Sequence, residues 1–420
     1  MLKNTALKIL PFSRFCKIFI YVIVRFERTL FKGLTEMDTV GIGAIGCGDR
    51  LRSLLETVVK KYPWIKIVAL SDVSQKSIDT IKNSCAPDAK VFADYHDLVK
   101  APEVKWVFIG SWNCFHKEHA IAALEAGKDV FCEKPLATTF EDCMAMKAAL
   151  EKSGRIFFIG FTLRYSPVHT KIKKLLTEGA IGKIISMEFN ETLAFNHGGY
   201  IHRDWRRLTK NAGTHLLEKC CHDIDLVHWM VDSLPVSVAS FGGCDFFKPE
   251  NLYHMDRIGP NPQNGNPAFC DWPCRHHPDP FTGDKDIVDN QVAIIQFANG
   301  VRSTFHTNCV AGIPERRMYI LGTEGCIRAD MCTGIVECQR YGWEDTKQVW
   351  NLAGVGGHGG SDEVLCDQIG QTLKEHVQPF SGLTEGLKSA ITCFAIDDSM
   401  NTGKLVDVRP YWEKAGIEVQ

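Results

Sequence analysis

A strand, a helix and a second strand are predicted in direct succession, and this unit restricts the fold of the chain more than any other feature. Residues 106–109 form a short, uncharged apolar run that ends at Gly110 and predicts a buried strand. A helix is expected over 116–126, with Gly127 at its C-terminal cap. Residues 130–132 predict the second strand. Such a crossover normally joins parallel strands in a sheet that helices cover.

Polar residues follow both strands at their carboxyl ends. They are Ser111, Trp112 and Asn113 after the first strand, and Glu133 and Lys134 after the second. Because ligands of open α/β sheets bind at these ends, the two clusters predict one binding site. Pro135 keeps Lys134 near an extended backbone, which gives the lysine amine a defined direction.

In these residues the chain resembles the Gfo/Idh/MocA family of NAD(P)-dependent oxidoreductases. The tripeptide Glu-Lys-Pro at 133–135 follows the complete crossover, and Asn113 and His116 are placed as in the family's loop. The resemblance extends from residue 37 to the C-terminus. It implies that Lys134 is an active-site lysine between cofactor and substrate.

The predicted fold is α/β, with an N-terminal Rossmann dinucleotide-binding domain and a C-terminal α+β domain. The first is expected over 37–160, and the second, for substrate binding and oligomerisation, over 161–420. A large, mostly antiparallel sheet is predicted in the second domain, with strands at 183–191, 236–242, 291–298, 301–307, 318–321 and 334–340. Asn299-Gly300 is the strongest hairpin signal. In the family the open face of this sheet commonly packs against a second subunit, so a homo-oligomer, a dimer or tetramer, is expected.

A turn with two glycines, Gly46 and Gly48, separates the first predicted strand, 39–45, from a helix that begins near Asp49. Glycines allow the backbone to approach a pyrophosphate, and the free N–H groups and dipole of the helix attract its charge. Leu51 stands where the dinucleotide-binding fingerprint has its third glycine.

Asp72 follows the second predicted strand, 65–70, and lies 24 residues after Gly48. This is near the spacing of the acid that binds the ribose hydroxyls of NAD. A carboxylate there repels a 2′-phosphate, so NAD is expected rather than NADP. An N-cap of the following helix is the alternative role of Asp72. The expected cofactor contacts are Gly46, Gly48, Asp49, Arg50, Asp72, Ser111, Trp112, Asn113, His116, Glu133 and Lys134.

A helix predicted over 214–231 is expected to carry the proton chemistry. Glu218, His222 and Asp225 share one of its faces. The family's helix has an acid four residues before a histidine and another acid three residues after it, although the earlier acid is often Asp. An imidazole suits proton transfer because its pKa lies near neutral pH. The resemblance implies that His222 takes the proton of a carbinol hydroxyl, that Lys134 hydrogen-bonds the oxygen, and that Glu218 binds a neighbouring hydroxyl or orients His222.

Further substrate contacts are expected around this helix. The resemblance places Arg164 and Tyr165 in the turn into the second domain, where Arg164 either faces the site or pairs with an acid at the domain interface. Trp205 and Arg206 lead into the catalytic helix. The expected substrate contacts are Lys134, Arg164, Tyr165, Trp205, Arg206, Glu218, Lys219 and His222.

No metal is predicted, although two sets of residues have the chemistry of metal ligands. Glu218 and His222 have the spacing of a zinc pair but no evident third ligand. The second set lies in an insertion over about 246–289 and consists of Cys270, Cys274, His276 and His277. Its spacing is looser than that of a usual zinc motif, so an active-site loop is the favoured interpretation. The glycine-rich segment 354–362, which contains His358, is either a lid that touches substrate or a solvated linker.

Charge and cysteine content restrict the partners of the chain. With 48 basic and 50 acidic residues the net charge is −2, so no nucleic-acid partner is implied. The 17 scattered cysteines are typical of reduced thiols in a cytoplasmic protein. Residues 1–36, with seven basic and two acidic residues, are expected to be a disordered extension or a mis-assigned start before Met37. Their apolar core, 18–24, is too short to span a bilayer, and a basic helix on a membrane surface is the alternative.

The resemblance implies an NAD-dependent dehydrogenase that oxidises a secondary alcohol of a sugar, cyclitol or related polyol. An NAD-dependent glycosidase, which uses the same hydride step transiently and ends redox neutral, is the first alternative. A non-catalytic NAD-binding regulator is the alternative from another class. Which sugar or polyol binds is not encoded in periodicity, because specificity lies in loop shape.

Overall fold

The computed structural model describes residues 39–274, 276–354 and 357–419, which form two β-sheets with helices around them. The leader, residues 1–36, lies outside the described residues. No helix within those ranges has the length and apolar character that crossing a membrane requires. All cysteines in the same ranges are free thiols.

The first sheet has six parallel strands in the order β3-β2-β1-β4-β5-β6. The strands are β1 (Val40–Ile45), β2 (Ile65–Ser71), β3 (Lys90–Val91), β4 (Trp106–Ile109), β5 (Asp129–Cys132) and β6 (Phe157–Ile159). The order reverses between β1 and β4, which is where a Rossmann sheet binds its dinucleotide. The predicted Rossmann fold and its crossover are confirmed.

The second sheet has nine strands in the order β14-β13-β12-β11-β7-β10-β9-β8-β15. The strands are β7 (Ile184–Ala194), β8 (Pro235–Gly243), β9 (Asn290–Phe297), β10 (Arg302–Ala311), β11 (Arg317–Gly322), β12 (Gly325–Asp330), β13 (Ile335–Arg340), β14 (Gln348–Asn351) and β15 (Val406–Asp407). Only the central pair of β7 and β10 is parallel among them, so the sheet is mostly antiparallel as predicted. The prediction missed β12, β14 and β15.

Thirteen α-helices are found in the described ranges. They are α1 (Asp49–Lys61), α2 (Gln75–Ser84), α3 (Tyr95–Lys100), α4 (His116–Glu125), α5 (Phe140–Ser153), α6 (Pro167–Thr177), α7 (Phe195–Arg203), α8 (Thr209–Ala212), α9 (His215–Val231), α10 (Tyr253–Ile258), α11 (Ser361–Glu375), α12 (Leu383–Thr402) and α13 (Arg409–Lys414).

The predicted hairpin at Asn299-Gly300 joins β9 to β10 in antiparallel register. Gly300 has a φ of +85°, a conformation that residues with a Cβ rarely adopt. The turn is closed by a hydrogen bond from the N–H of Phe297 to the carbonyl of Val301 at 2.9 Å. Sequence and structure therefore agree because the turn depends on one residue type.

Helix α11 returns to the first sheet, although the predicted boundary assigns it to the second domain. Leu365, Cys366 and Ile369 are buried in the same cluster as Leu51 and Leu55 of α1. The chain therefore crosses between the two sheets a second time. The division into 37–160 and 161–420 stays a prediction.

Helix α9 lies in the largest core cluster, which contains residues of both sheets. Thr214 caps its N-terminus by accepting a hydrogen bond from the N–H of Leu217. The Thr214 hydroxyl also donates to Asp397 of α12 at 2.6 Å, and Gln291 of β9 donates to the other Asp397 oxygen at 3.1 Å. A buried carboxyl group therefore supports the start of α9.

The pH dependence of stability tests this support. Burial raises the pKa of Asp397 to about 7. Between the unfolded pKa of an aspartate, about 3.9, and the folded pKa of Asp397, the folded chain keeps this proton and the unfolded chain loses it. The stabilisation that the protonated group gives is therefore fully present below the unfolded pKa and is lost as pH rises through the folded pKa. The free energy of unfolding of Asp397→Asn should therefore increase relative to that of the parent as pH rises, by about 1.4 kcal/mol for each pH unit in that window. Urea unfolding at a series of pH values measures this difference.

Thr214→Ala serves as the control for Asp397→Asn, because it removes the cap and leaves the carboxyl group. It should cost about 1 kcal/mol, and its stability should still fall as pH rises, because the buried carboxyl group remains. An Asp397→Asn protein that keeps the parent's pH trend would contradict the assignment.

Candidate active site

The glycine turn at 46–48 leaves an open approach to the start of α1. Gly46 has a φ of +81°, and a Cβ there would lie 2.3 Å from the backbone nitrogen of Ser111. Gly48, the N-cap residue, has no atom within 4 Å of its Cβ position and makes no side-chain cap. The first-turn N–H groups of a helix have no intrahelical partner, so they fit the charge of a pyrophosphate.

Gly110 replaces the missing third glycine of the fingerprint. A Cβ at Gly110 would lie 2.7 Å from the Cβ of Leu51. The close approach between α1 and the sheet is therefore made possible by the neighbouring strand end, not by the helix. This explains why Leu51 is compatible with a Rossmann turn.

Asp72 joins the glycine turn to the end of β2. One carboxylate oxygen accepts from the N–H of Cys47 at 2.5 Å, and the other accepts from the N–H of Ser74 at 2.6 Å. Ser74, not Asp72, is the side-chain N-cap of α2. A carboxylate has about four acceptor positions, so Asp72 retains capacity for ribose hydroxyls.

The loop after β4 uses two of the predicted cofactor contacts for its own structure. His116 is fully buried, with Nδ1 2.8 Å from the carbonyl oxygen of Pro135 and Nε2 3.2 Å from that of Ser111. The Asn113 amide donates to the carbonyl of Ala212 at 2.8 Å. The geometry does not support direct cofactor contact by His116, whose ring nitrogens both face backbone carbonyls. His116 instead fixes the loop to the residue after Lys134.

Arg50, at the start of α1, connects three segments at the site. Its guanidinium donates to Glu133 at 2.9 Å, to Asp362 at 2.8 Å and to Thr162 at 2.8 Å. Asp49, in contrast, directs its side chain into solvent, with Arg52 as its partner. The turn, the tripeptide and the start of α11 are thus held by one cation.

Lys134, which follows a strand of the first sheet, contacts Glu218 of helix α9. The ammonium donates to the backbone carbonyl of Glu218 at 2.5 Å and lies 3.4 Å from its carboxylate. Arg206 donates to the same carboxylate oxygen at 3.0 Å. Burial alone would raise the pKa of Glu218, but Lys134, Arg206 and Lys219 together hold that pKa well below its usual range. Glu218 is therefore a buried carboxylate that orients the lysine.

His222 lies one turn further along α9 and is buried. Its Nδ1 has no hydrogen-bond partner among the described residues. Burial lowers the pKa of His222 well below its usual value, and the positive charge of Lys134 acts in the same direction. The imidazole is therefore neutral, which is the form that accepts a proton.

Asp225, the third residue on the predicted face of α9, forms an ion pair with Arg164. The guanidinium donates to both carboxylate oxygens at 2.7 Å, and both side chains are buried. Tyr165 is also buried and packs edge-on against Phe380. The geometry supports the interface ion pair for Arg164 and does not support substrate contact by Arg164 or Tyr165.

A second buried charge network lies beneath the other face of α9. Arg316 donates to both oxygens of Asp223 at 2.8 and 2.7 Å, and also lies 2.6 Å from Glu191. Lys219, a predicted substrate contact, lies 3.4 Å from Glu191. The sequence does not predict this network, because Asp223 lies on α9 itself and only the fold brings Glu191 of β7 and Arg316, next to β11, to it.

Aromatic rings pack beside Arg206, the partner of Glu218. Trp112 stacks on Trp205 with ring centroids 5.1 Å apart and 13° between the planes. The Arg206 guanidinium lies over the Trp205 ring at 4.3 Å. His276, from the insertion, packs edge-on against Trp112 at 5.9 Å. The insertion therefore reaches the wall that Trp112 and Trp205 form.

No set of three His, Cys, Asp or Glu side chains in the described residues is arranged to hold a metal ion. Cys270 and His277 instead contact backbone carbonyls of Pro278 and Asp279. The groups that the fold brings together here are an ammonium, a carboxylate and a neutral imidazole. Together these groups suit proton removal from a hydroxyl group and stabilisation of the resulting oxygen charge.

Two family models match the chain. Residues 40–161 match the model described as oxidoreductase family, NAD-binding Rossmann fold, and residues 169–328 match the GFO/IDH/MocA C-terminal domain. The matches divide between the same two sheets that the structure shows.

Curated relatives include an inositol 2-dehydrogenase of Gluconacetobacter diazotrophicus, 32% identical over 47% of this chain and 56% of the relative. The match thus spans little more than half of that relative's length. A 2,7-anhydro-N-acetylneuraminate hydratase of Mediterraneibacter gnavus is 28% identical over 70% of this chain and 68% of the relative. A solved levoglucosan dehydrogenase in complex with NADH and levoglucosan has a TM-score of 0.73 at 21% identity, covering 88% of this chain and 99% of that one, which is a likeness of fold.

The role of Arg164 is tested by the stability of its variants. Because Arg164→Met and Asp225→Leu each leave a buried charge unpaired, each should lower the free energy of unfolding by about 3–5 kcal/mol. The double variant should cost less than the sum of the two. The exposed pair of Arg409 and Asp407 is the control, and Arg409→Met should keep a stability close to that of the parent, because water screens the pair. Additive costs at Arg164 and Asp225 would contradict the pairing.

Proposed function

Since the chain belongs to the GFO/IDH/MocA oxidoreductase family, we propose that it is an NAD-dependent dehydrogenase of CH–OH groups. In this proposal it transfers a hydride between NAD and a secondary alcohol carbon of a sugar, cyclitol or related polyol. The observation that carries the proposal is the contact of Lys134 with Glu218, one helical turn from the buried, neutral His222.

The residues of the first sheet fit NAD. The open turn at 46–48 and the start of α1 would hold the pyrophosphate, and Asp72 would accept hydrogen bonds from the adenosine ribose. The Asp72 carboxylate would repel the additional phosphate of NADP. When bound, NAD supplies the nicotinamide carbon that exchanges the hydride.

The chain's own groups would perform the proton chemistry. His222 would accept the hydroxyl proton of the substrate, because a neutral imidazole has a free lone pair. Lys134 would donate a hydrogen bond to the same oxygen as negative charge develops on it. Glu218 would hold the ammonium in place, and Arg206 would hold Glu218.

A redox-neutral reaction is the second candidate. The hydratase of Mediterraneibacter gnavus matches 70% of this chain, more than the inositol 2-dehydrogenase does. A hydratase adds water without net oxidation of its substrate. The same site would then oxidise an anhydro sugar or glycoside transiently and return the hydride after elimination or addition.

The direct test incubates the protein with NAD and a panel of inositols, aldoses, anhydro sugars and aryl glycosides, while NADH absorbance and released products are followed. Net NADH from a polyol supports the dehydrogenase, and product without net NADH supports the redox-neutral candidate. We expect Lys134→Met to lower kcat about 10²- to 10³-fold and His222→Ala about 10²- to 10⁴-fold. Lys105→Met, at an exposed lysine beside the amino end of β4, is the control and should retain activity.

Full activity of both site variants would contradict the assignment of Lys134 and His222. NAD binding without turnover on any member of the panel would instead favour a non-catalytic regulator.

We also propose that the chain forms a homo-oligomer through the open face of the nine-stranded sheet. Phe241, Val292, Ile294 and Tyr319 are exposed there, and Phe241 is the cross-strand partner of Val292. An apolar patch of this kind favours association with a matching surface.

Sedimentation velocity at micromolar concentration tests this proposal. We expect a dimer or tetramer for the parent and a shift toward monomer for Ile294→Glu, because the substitution places a charge on the patch. Ile313→Glu, at an exposed isoleucine in the loop between β10 and β11, should sediment like the parent. A monomeric parent would contradict the proposal.

A further inference from the structure

A second imidazole, His358, lies close to His222. The two ring centroids are 6.5 Å apart. The His358 side chain is 38% exposed, whereas His222 is 6% exposed. One imidazole is therefore enclosed in the site and the other reaches solvent.

The His358 imidazole is held by the carboxylate of Asp362, which Arg50 in turn keeps ionised. Its Nδ1 lies 3.1 Å from one oxygen of Asp362, and the other oxygen accepts from Arg50 at 2.8 Å. Burial alone would raise the pKa of Asp362, but the hydrogen bond from His358 and the charge of Arg50 lower it to about 2. An ionised carboxylate on Nδ1 favours the tautomer with hydrogen on Nδ1, so Nε2 keeps its lone pair.

His222 is poorly suited to retain a proton. An imidazolium donates from both nitrogens, and Nδ1 of His222 is buried without a partner among the described residues. Lys134 adds a positive charge nearby, which disfavours a second one. A proton taken up by His222 must therefore leave quickly.

We propose that His358 accepts the substrate proton from His222 and releases it to solvent, with Asp362 as the positioning residue. This inference rests on the proposed dehydrogenase function. The O–H bond of the alcohol breaks as an N–H bond forms on His222, and the electron pair of the carbinol C–H bond leaves as the hydride that NAD accepts. The N–H bond on His222 then breaks as one forms on Nε2 of His358, directly or through one water.

Variants of His358 separate this relay from a structural role. His358→Gln should lower kcat about 10²-fold at unchanged KM, because proton transfer by a positioned side chain is lost. The solvent deuterium isotope effect on kcat should rise, and added imidazole should restore turnover to His358→Ala. NADH binding measured by fluorescence should match the parent, which excludes a folding defect.

His376→Gln is the matched control. His376 is also a partly exposed imidazole that contacts a carboxylate, that of Asp129 at 3.1 Å, but Asp129 begins β5, at the sheet edge opposite the site. This variant should keep the kcat and isotope effect of the parent.

A readout without turnover is provided by nitrogen-15 NMR of the cofactor-free protein. We expect His358 to carry hydrogen on Nδ1 in the parent and to lose this tautomer preference in Asp362→Asn. An unchanged tautomer in Asp362→Asn overturns the relay, as does a His358→Gln enzyme with the parent's kcat and isotope effect. If the parent itself transforms no substrate of the panel, the proposed function fails first, and the relay fails with it.

Discussion

The contact between Lys134 and Glu218 is the interaction on which the candidate site depends. Lys134 follows a strand of the first sheet, and Glu218 lies on α9, which packs in the core shared with the second sheet. An ammonium and a carboxylate in a buried place stabilise each other only while both stay in position. The contact therefore ties the end of β5 to helix α9, and in the proposed function it would set the distance between the cofactor and the group that accepts the proton.

The buried carboxylates of helix α9 are each paired with an arginine. Each of three carboxylates has an arginine from a different segment: Glu218 with Arg206, Asp223 with Arg316, and Asp225 with Arg164. His222 stands between them and has no such counter-charge. Burial and the positive charge of Lys134 lower the pKa of His222, so its imidazole is neutral, which is the form that accepts a proton. The helix thus pairs each of these three carboxylates and leaves the proposed proton acceptor, His222, without a counter-charge.

The sequence predicted elements whose signal is local and missed features that only the fold creates. The strand at 106–109 was predicted with the bounds it has, because a short uncharged run admits few alternatives. β12 was missed because it is a short segment with two charged residues, and its strand pairing with β11 and β13 leaves no apolar run in the sequence. Family spacing placed His116 near the cofactor, yet its ring nitrogens face carbonyls of its own loop and of Pro135. Sequence spacing places a residue near a site but does not say which neighbour its side chain contacts. His358 lies in a glycine-rich segment without periodicity, so its position opposite His222 could not be derived.

The most direct measurement of the central claim is a crystal structure of the protein with NADH and a polyol that the enzyme oxidises. The account predicts that the Lys134 ammonium and a ring nitrogen of His222 both lie within about 2.6–3.2 Å of the same substrate oxygen, or one water away from it. That oxygen should belong to the carbon nearest the nicotinamide ring. A polyol bound beside the nicotinamide without contact to either side chain would contradict the account.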